Sequence, residues 1–166
     1  METLQFVIHE HHASRLHFDF RLEMDGVLRS WAVPKGPSLN PADKRLAMLV
    51  DDHALVYGRY EGIIPQGRYG AGPVVIWDSG TYEILGGEAP QPQFDRGSLK
   101  FILKGKNLRG EFALCKFKGR GRTTGKEWLL MKKSDSFANK EFELESALTD
   151  DKRKTLCESE PPCEGS

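Results

Sequence analysis

The stretch that most constrains the fold is residues 11–22, HHASRLHFDFRL, because apolar and reactive side chains alternate along it. The apolar set is Leu16, Phe18, Phe20 and Leu22, and the reactive set is His17, Asp19 and Arg21. Successive side chains of a β-strand point to opposite faces, so this alternation predicts a strand with one apolar and one reactive face. A solvated strand face normally carries residues such as Thr, Lys and Glu, so the reactive face predicts a functional site.

His11 is the second imidazole of this stretch, six residues before His17. It shares a face with His17 if the strand is continuous and folds back beside it if the chain turns; either geometry brings two imidazoles to Asp19. Two imidazoles and one carboxylate suit Mn²⁺, Fe²⁺, Co²⁺ or Zn²⁺ and leave positions for water or substrate. The residues also allow a metal-free hydrogen bond between His17 and Asp19. His9 is an alternative ligand of the same parity, whereas His12 is expected at the surface.

Further cations and an aromatic side chain indicate an anionic substrate. Arg21 is the last residue of the reactive set, and a guanidinium binds a phosphate through two parallel hydrogen bonds. Arg45 could supply a second phosphate contact, and His53 a general acid or transition-state donor, with Tyr57 close behind it in the sequence.

Three segments resemble a known family: HASRLHFDFRLEMDGVLRSWAVPKGPS, KRLAMLVDDH and YEGIIPQGRYGAGPVVIWDSGTYE. They are similar to the 3′-phosphoesterase domain of bacterial and archaeal DNA ligase D, and the likeness extends over residues 6–138. The resemblance implies a small β-barrel enzyme, most active with Mn²⁺, with Zn²⁺ or Co²⁺ as alternative metals. It implies that the enzyme removes a terminal 3′-ribonucleoside from a DNA primer, and then the remaining 3′-phosphate, to leave a 3′-OH.

The resemblance also implies roles for individual residues. The metal ligands would be His11, His17 and Asp19; the phosphate contacts would be Arg21, Arg45 and His53; the other catalytic residues would be Tyr57 and Lys35. Members within the large ligase carry an N-terminal arm that assists ribonucleoside removal. This chain begins at Met1 close to the core, so we expect a free-standing monomer without the arm, for which the diesterase step is open. We expect it to act on primer-template 3′ ends beside separate ligase and polymerase subunits.

Composition is that of an ordinary globular domain, with 39% hydrophobic and 29% charged residues in 166. No apolar run approaches the ~20 residues of a membrane span and no signal peptide is recognisable, so a cytoplasmic location is expected. Cys115, Cys157 and Cys163 do not indicate a disulfide framework. We expect a phosphoesterase barrel over residues 1–140, followed over 141–166 by a helix end and a disordered acidic tail.

Charge is unevenly distributed although the net charge is zero. The C-terminal 26 residues hold eight acidic and three basic side chains, which leaves the body with 21 basic and 16 acidic. A Gly-rich loop concentrates cations that could contact a DNA backbone, namely Lys116, Lys118, Arg120 and Arg122. The alternative is a solvated hairpin tip.

The remaining pattern predicts a mainly β protein, a small closed or partly open β-barrel with a polar active-site groove and one or few short helices. Strands are expected at 15–23, 27–33, 46–50, 74–77, 81–85, 98–103, 110–117 and 127–132, with tight turns at Asp25-Gly26 and Ser79-Gly80. The polar strand face is expected to line the barrel interior, and the Pro/Gly segments 34–41 and 65–72 to shape the groove. Residues 90–94 are expected to form a loop, 136–148 a helix, and 150 onward a disordered tail.

Two other functions fit parts of the pattern. A non-catalytic barrel that binds DNA ends or a ligase partner would keep the pocket with little turnover. A metal-dependent oxygenase would use the same His-His-carboxylate set but leaves the two arginines without a role unless its cosubstrate is a carboxylate.

Overall fold

Within the described part of the chain, nine β-strands form one antiparallel sheet that curls until its first strand pairs with its sixth. The computed structural model describes residues 3–117 and 124–162. The strands are β1 Leu4–His12, β2 Leu16–Met24, β3 Val27–Val33, β4 Lys44–His53, β5 Gly62–Ile64, β6 Gly72–Ile84, β7 Ser98–Lys104, β8 Arg109–Lys116 and β9 Glu127–Lys132. The helices are a 3₁₀ helix at Leu55–Arg59, α1 at Pro90–Arg96 and α2 at Asp150–Thr155.

The order of strands closes a barrel. Neighbours run β1-β2-β3-β4-β9-β8-β7-β6, and pairing of β6 with β1 completes a ring of eight strands, with β5 added outside on β6. Closure leaves no free edge on the ring, which removes the unpaired backbone groups that make an open sheet prone to association. The prediction of a mainly β, small barrel is confirmed.

Apolar side chains from all eight strands of the ring fill the barrel interior. β2 contributes Phe18, Phe20 and Leu22, and Phe20 lies against Trp31 and Phe101 with ring centroids 6.5 and 6.0 Å away. The alternating residues of β2 must therefore point outward. The expectation that the polar face lines the interior is wrong, because the interior volume is taken by aromatic and branched side chains, and the polar groove lies on the outer surface.

A second, smaller apolar cluster covers part of that outer surface. It consists of Val7, Leu28, Tyr57, Tyr60, Ile64 and Val74. The 3₁₀ helix supplies Tyr57, and β5 supplies Ile64, so both elements pack on the outer face of β1 and β3. This cover turns an exposed strand face into a partly enclosed groove.

The two predicted turns have different outcomes. Asp25 and Gly26 both have positive φ, 53° and 79°, and join β2 to β3 with Met24 paired to Val27, as expected for a two-residue hairpin. The Ser79-Gly80 turn is wrong, because β6 continues through it. A Cβ on Gly80 would lie 2.1 Å from the carbonyl oxygen of Lys104, so this glycine permits a close approach of the β6 backbone to the end of β7.

Helix positions differ from the sequence prediction. Residues 90–94 belong to α1, with proline in the first turn and Gly97 in the left-handed conformation at the C-cap (φ 78°). The helix predicted over 136–148 is wrong: this segment runs over the barrel with Phe142 and Leu144 packed on the core. α2 stands where disorder was expected, and its N-cap Thr149 accepts a hydrogen bond from the backbone N–H of Lys152. The division into domains at residue 140 stays a prediction.

Two further observations bear on the sequence predictions. Cys115 and Cys157 are free thiols, whereas Cys163 lies outside the described residues. Across residues 3–117 and 124–162, none of the helices has the length and apolar character needed to cross a membrane.

Candidate metal centre and its surroundings

The β1–β2 hairpin brings the three predicted ligands together. The chain turns back at residues 13–15, so His11 and His17 are direct partners across the hairpin. Asp19 pairs with His9, two residues further along each strand. Ligand atoms of His11, His17 and Asp19 all lie within 4.8 Å of one another. Of the two geometries that the sequence allows for His11, the structure has the folded-back one.

Backbone carbonyls fix which ring nitrogen each histidine presents. Nε2 of His11 lies 2.6 Å from the carbonyl oxygen of Gly70, and Nδ1 of His17 lies 3.3 Å from that of Arg15. A carbonyl can only accept, so these two nitrogens carry the protons in the neutral rings. Nδ1 of His11 and Nε2 of His17 then turn lone pairs toward Asp19, at 3.7 and 3.4 Å from its carboxylate oxygens.

These separations fit one divalent ion. Metal bonds of about 2.0–2.2 Å to nitrogen and oxygen place neighbouring donors roughly 3–3.5 Å apart around a tetrahedral or octahedral centre. The 3.4 Å distance from Asp19 to the His17 ring matches that spacing, the 3.7 Å distance to the His11 ring is slightly longer, and both exceed those of a good direct hydrogen bond. Two imidazoles with a carboxylate suit several first-row metals, so the donor set leaves the identity of the metal open.

The protonation of the cluster favours cation binding. Burial alone would raise the pKa of the Asp19 carboxyl, but the adjacent imidazoles of His11 and His17, which can donate to it when protonated, and the charge of Arg21 outweigh burial and hold that pKa far below its usual range. The pKa of His17 is raised, mainly because Asp19 can accept a hydrogen bond from its Nε2 once the ring is protonated. Asp19 is therefore an anion across the physiological range, and a bound cation competes with a proton at His17.

Arg21 lies next to the ligand cluster and is almost completely buried, with 2% of its surface exposed. Its Nη2 is 3.3 Å from Asp19, and its Nη1 donates to the hydroxyl of Ser30 at 2.9 Å. The guanidinium also lies 4.7 Å from the centre of the Tyr57 ring, a cation–π contact. These contacts hold the guanidinium plane at a fixed angle beside the candidate metal ligands.

His53 joins the same group from β4. Its Nδ1 lies 3.1 Å from Nη1 of Arg21 and 3.0 Å from the carbonyl oxygen of Asp51. Its ring meets Tyr57 edge-on, with centroids 4.4 Å apart. The structure thus unites five of the predicted site residues in one group: His11, His17, Asp19, Arg21 and His53, with Tyr57 packed against it.

The structure argues against His9 as an alternative metal ligand, because both of its ring nitrogens are hydrogen-bonded to other groups. Its Nδ1 accepts from Nε of Arg21 at 3.0 Å, and its Nε2 donates to the carbonyl oxygen of Tyr60 at 3.0 Å. Burial and the neighbouring Arg21 lower the pKa of His9 to about 3. His9 is a neutral ring that orients Arg21. His12, expected at the surface, is half-buried with Nε2 2.6 Å from Glu10.

Other predicted site residues stand apart from this group in their contacts. Arg45 shares the face of β4 that carries the core residue Ala47, and it pairs with Asp43 at 3.3 Å. Lys35 is exposed just beyond β3, and Lys116 is exposed at the end of β8. Lys118, Arg120 and Arg122 lie outside the described residues. The roles of all six stay predictions.

Sequence reasoning missed the groups that hold the site in shape. Ser30 lies opposite Arg21 on β3 and is fully buried, while Tyr60 and Gly70 contribute only backbone carbonyls. A carbonyl leaves no mark on side-chain patterning, although the Pro/Gly segment 65–72 was expected to shape the groove. Gly70 has φ +75°, and a Cβ there would lie 3.0 Å from Cε1 of His11.

Comparison with known proteins places this geometry in context. A sequence model of the family described as "DNA Ligase D 3'-phosphoesterase domain" matches residues 9–116. "Multifunctional non-homologous end joining protein LigD" of Pseudomonas aeruginosa is 49% identical over 135 residues, covering 81% of this chain and 16% of that protein. The protein of the same name from Mycobacterium bovis is 45% identical over 141 residues, covering 85% and 17%. The chain therefore spans about a sixth of the length of these relatives.

Proposed function

The chain belongs to the DNA ligase D 3′-phosphoesterase family, and from this premise we propose that it heals DNA 3′ ends in end-joining repair. The proposed enzyme is a metal-dependent hydrolase that removes a terminal 3′-ribonucleoside and a 3′-phosphate to leave a 3′-OH. The observation that carries the proposal is the group His11, His17 and Asp19 with Arg21 alongside, which offers a metal site and a cation to the same phosphate.

We assign the metal to Nδ1 of His11, Nε2 of His17 and the carboxylate of Asp19, and propose Mn²⁺ as the ion. A divalent ion bound there would polarise a phosphoryl oxygen or lower the pKa of a bound water. The mixed nitrogen and oxygen donors suit Mn²⁺, and the same donors accept Zn²⁺ or Co²⁺.

The remaining site residues are proposed to bind the phosphate and move protons. Arg21 is held 3.3 Å from Asp19, so its guanidinium can offset charge on a phosphate oxygen placed at the ligand cluster. His53 contacts Arg21 and is proposed to donate a hydrogen bond or proton to the phosphate or its leaving oxygen. Tyr57 packs edge-on against His53 and under Arg21 and is proposed to set the angle of both.

Arg45 and Lys35 are proposed to contribute from outside this group. Arg45 is paired with Asp43, and Lys35 is exposed within residues 34–41, the Pro/Gly segment expected to shape the groove. A second phosphate contact at Arg45 would require its guanidinium to leave Asp43 or to bind both groups. A variant of Arg45 should therefore change substrate affinity more than it changes metal affinity.

The proposed substrate is the 3′ end of a DNA primer-template. The excess of basic over acidic side chains in residues 1–140, and the cationic segment from Lys116 to Arg122, support binding to a phosphate backbone. Separate polymerase and ligase subunits are proposed to act on the same ends, since the relatives described above are named as multifunctional end-joining proteins. We further propose residues 1–140 as the catalytic domain, acting as a monomer in the cytoplasm.

The test is Mn²⁺-dependent processing of a labelled primer-template that ends in a single 3′-ribonucleotide or in a 3′-phosphate. The wild-type chain is compared with His17→Ala and with His12→Gln, a matched histidine variant outside the ligand set. Mg²⁺, Zn²⁺, Co²⁺ and EDTA arms identify the metal.

The proposal predicts that both ends become 3′-OH with Mn²⁺, that His17→Ala is inactive, and that His12→Gln is active. Release of phosphate without removal of the ribonucleotide would restrict the function to the monoesterase. If neither end changes while the protein still retards the primer in a gel, the chain is a binding module and the catalytic proposal fails.

A further inference from the structure

The loop between β5 and β6, residues 65–71, carries an aromatic side chain one residue before the carbonyl that contacts a proposed metal ligand. Tyr69 is fully exposed, with a relative accessibility of 103%. The next residue, Gly70, provides the carbonyl oxygen that binds Nε2 of His11 at 2.6 Å. Adjacent Cα atoms are about 3.8 Å apart, so the backbone of Tyr69 is a neighbour of the ligand cluster.

This loop is fixed to the site strand. Two turns form its backbone, with the N–H of Arg68 bonded to the carbonyl of Pro65 and that of Ala71 to the carbonyl of Arg68, each at 3.2 Å. At its end, a Cβ on Gly72 would lie 2.0 Å from the carbonyl oxygen of His12. The loop backbone therefore packs against β1 at His11 and His12. The backbone at Tyr69 is held in place by these contacts, and its side chain projects from it.

The residue before Tyr69 in the sequence is an exposed arginine. Arg68 has 64% of its side chain exposed and pairs with Glu160, itself 57% exposed, at 3.0 Å. An ion pair this exposed contributes little to stability, so a phosphodiester can replace the carboxylate at small cost. An exposed aromatic ring next to an exposed arginine is the combination that single-stranded nucleic-acid sites use, one for a base and one for the backbone.

We propose that Tyr69 is the stacking platform for the terminal base of the bound primer strand, and that Arg68 contacts the next phosphodiester upstream. This inference rests on the proposed function and specifies how its substrate is seated: the base lies on the Tyr69 ring while the 3′-phosphate reaches His11, His17 and Asp19. Every base has an apolar face, so the subsite accepts any sequence and selects for an unpaired or frayed terminal base.

The platform predicts a loss of substrate binding when the ring is removed. Tyr69→Ala should raise KM about 5- to 150-fold with kcat nearly unchanged, the size expected for one base–aromatic stack. Tyr69→Trp should retain the wild-type KM, and Tyr69→Phe should resemble it because the hydroxyl takes no part. The control is Phe137→Ala, which removes another exposed aromatic ring, 48% accessible, in the segment after β9.

Substrate variants decide whether the ring acts through the base. The full chain is assayed on 3′-phosphate primers whose terminal nucleotide is either normal or abasic. If Tyr69 stacks on that base, removing the base should raise the KM of the wild type by the same factor as Tyr69→Ala raises it on the normal primer. Tyr69→Ala assayed on the abasic primer should then have a KM no higher than either single change gives. Additive losses, or an equal loss in Phe137→Ala, would overturn the proposal.

A binding measurement separates this inference from the proposed function. Primers ending in 2-aminopurine with a 3′-OH are titrated with His17→Ala, and stacking is read as quenching of 2-aminopurine fluorescence. Quenching that disappears in the His17→Ala/Tyr69→Ala double variant supports the platform even if no phosphate is released by the wild type. Phosphate release by the wild type with no quenching in His17→Ala would refute the stacking platform but would still support the proposed phosphoesterase activity.

Discussion

The two faces of the β1–β2 hairpin belong to the same strands but are held in different ways. The inner face packs Phe6, Ile8 and Phe20 among aromatic side chains, where the match of volume determines stability. The outer face holds His11, Asp19 and Arg21 by hydrogen bonds and ion pairs at specific atoms. The inner face therefore tolerates changes that preserve volume, whereas the outer face depends on the identity of each donor and acceptor.

The partners of the two faces also differ in origin. Inner residues contact side chains from every strand of the ring, so each contact is one of many. His11 depends on one carbonyl 59 residues away, and His9 on another 51 residues away. We expect that damage to the inner face lowers the free energy of unfolding, and that damage to the outer face lowers activity while the barrel remains folded.

The largest effect is expected from Asp19→Asn. The amide has the shape of the carboxylate but lacks the charge that holds a divalent ion, so activity should fall by about 10³-fold or more. Far-UV circular dichroism should remain that of the wild type. Mn²⁺ binding followed by electron paramagnetic resonance should weaken in parallel; unchanged binding would mean that Asp19 is not a ligand.

On the inner face, Phe20→Ala should lower the free energy of unfolding by about 3 kcal/mol or more, because it leaves a cavity between Trp31 and Phe101. Urea denaturation measures this change, with Phe137→Ala as the exposed control. Activity per folded molecule should stay near the wild-type value. A loss of activity as large as that of Asp19→Asn would show that the two faces are not separable.

Gly70→Ala should act on the link between the loop and His11. Alanine is strained at φ +75°, and its Cβ would displace the His11 ring, so Mn²⁺ affinity should fall about 10- to 100-fold. Gly67→Ala is the matched control, since Gly67 has φ +88° but nothing within 4 Å of the added Cβ. Equal losses of metal affinity in both variants would assign the effect to backbone strain alone.

The smallest effect is the pH dependence that His9 adds to stability. Its pKa is lowered to about 3 in the folded chain, so an unfolded chain binds a proton more readily below pH ~6.5. The stabilisation is fully present above pH ~6.5 and decreases as the pH falls toward 3. Thermal unfolding in EDTA between pH 6 and pH 4.5 should show this decline, and His9→Asn should reduce it. An identical slope in the variant would contradict the burial of a neutral His9.

Side-chain alternation predicted what depends on a strand's own residues. It located β2, β3 and β9, the Asp25-Gly26 hairpin and the cluster of His11, His17 and Asp19. It could not assign the inside of the barrel, because alternation separates two faces without saying which one closes inward. The assumption that a reactive face lines the interior gave the wrong side.

Helices were predicted poorly because they are short and depend on packing. α1 has seven residues and contains two prolines, a composition that favours a loop until its N-terminal proline and the Gly97 C-cap are considered together. Residues 136–148 have helical propensity but form turns and irregular structure on the barrel, where Trp77 donates to the carbonyl of Glu145 and Glu10 accepts from Ala147. Tertiary hydrogen bonds there outweigh local preference.

The hydrogen bond from His11 to Gly70 has a consequence for the order in which the proposed metal site forms during folding. All three proposed ligands lie on one hairpin, and hairpins form within microseconds. The carbonyl of Gly70 arrives only when the long-range pairing of β1 with β6 closes the barrel, a slower event. If the group binds an ion as proposed, a nascent chain could hold that ion through either nitrogen of His11, and barrel closure would then leave only Nδ1 available.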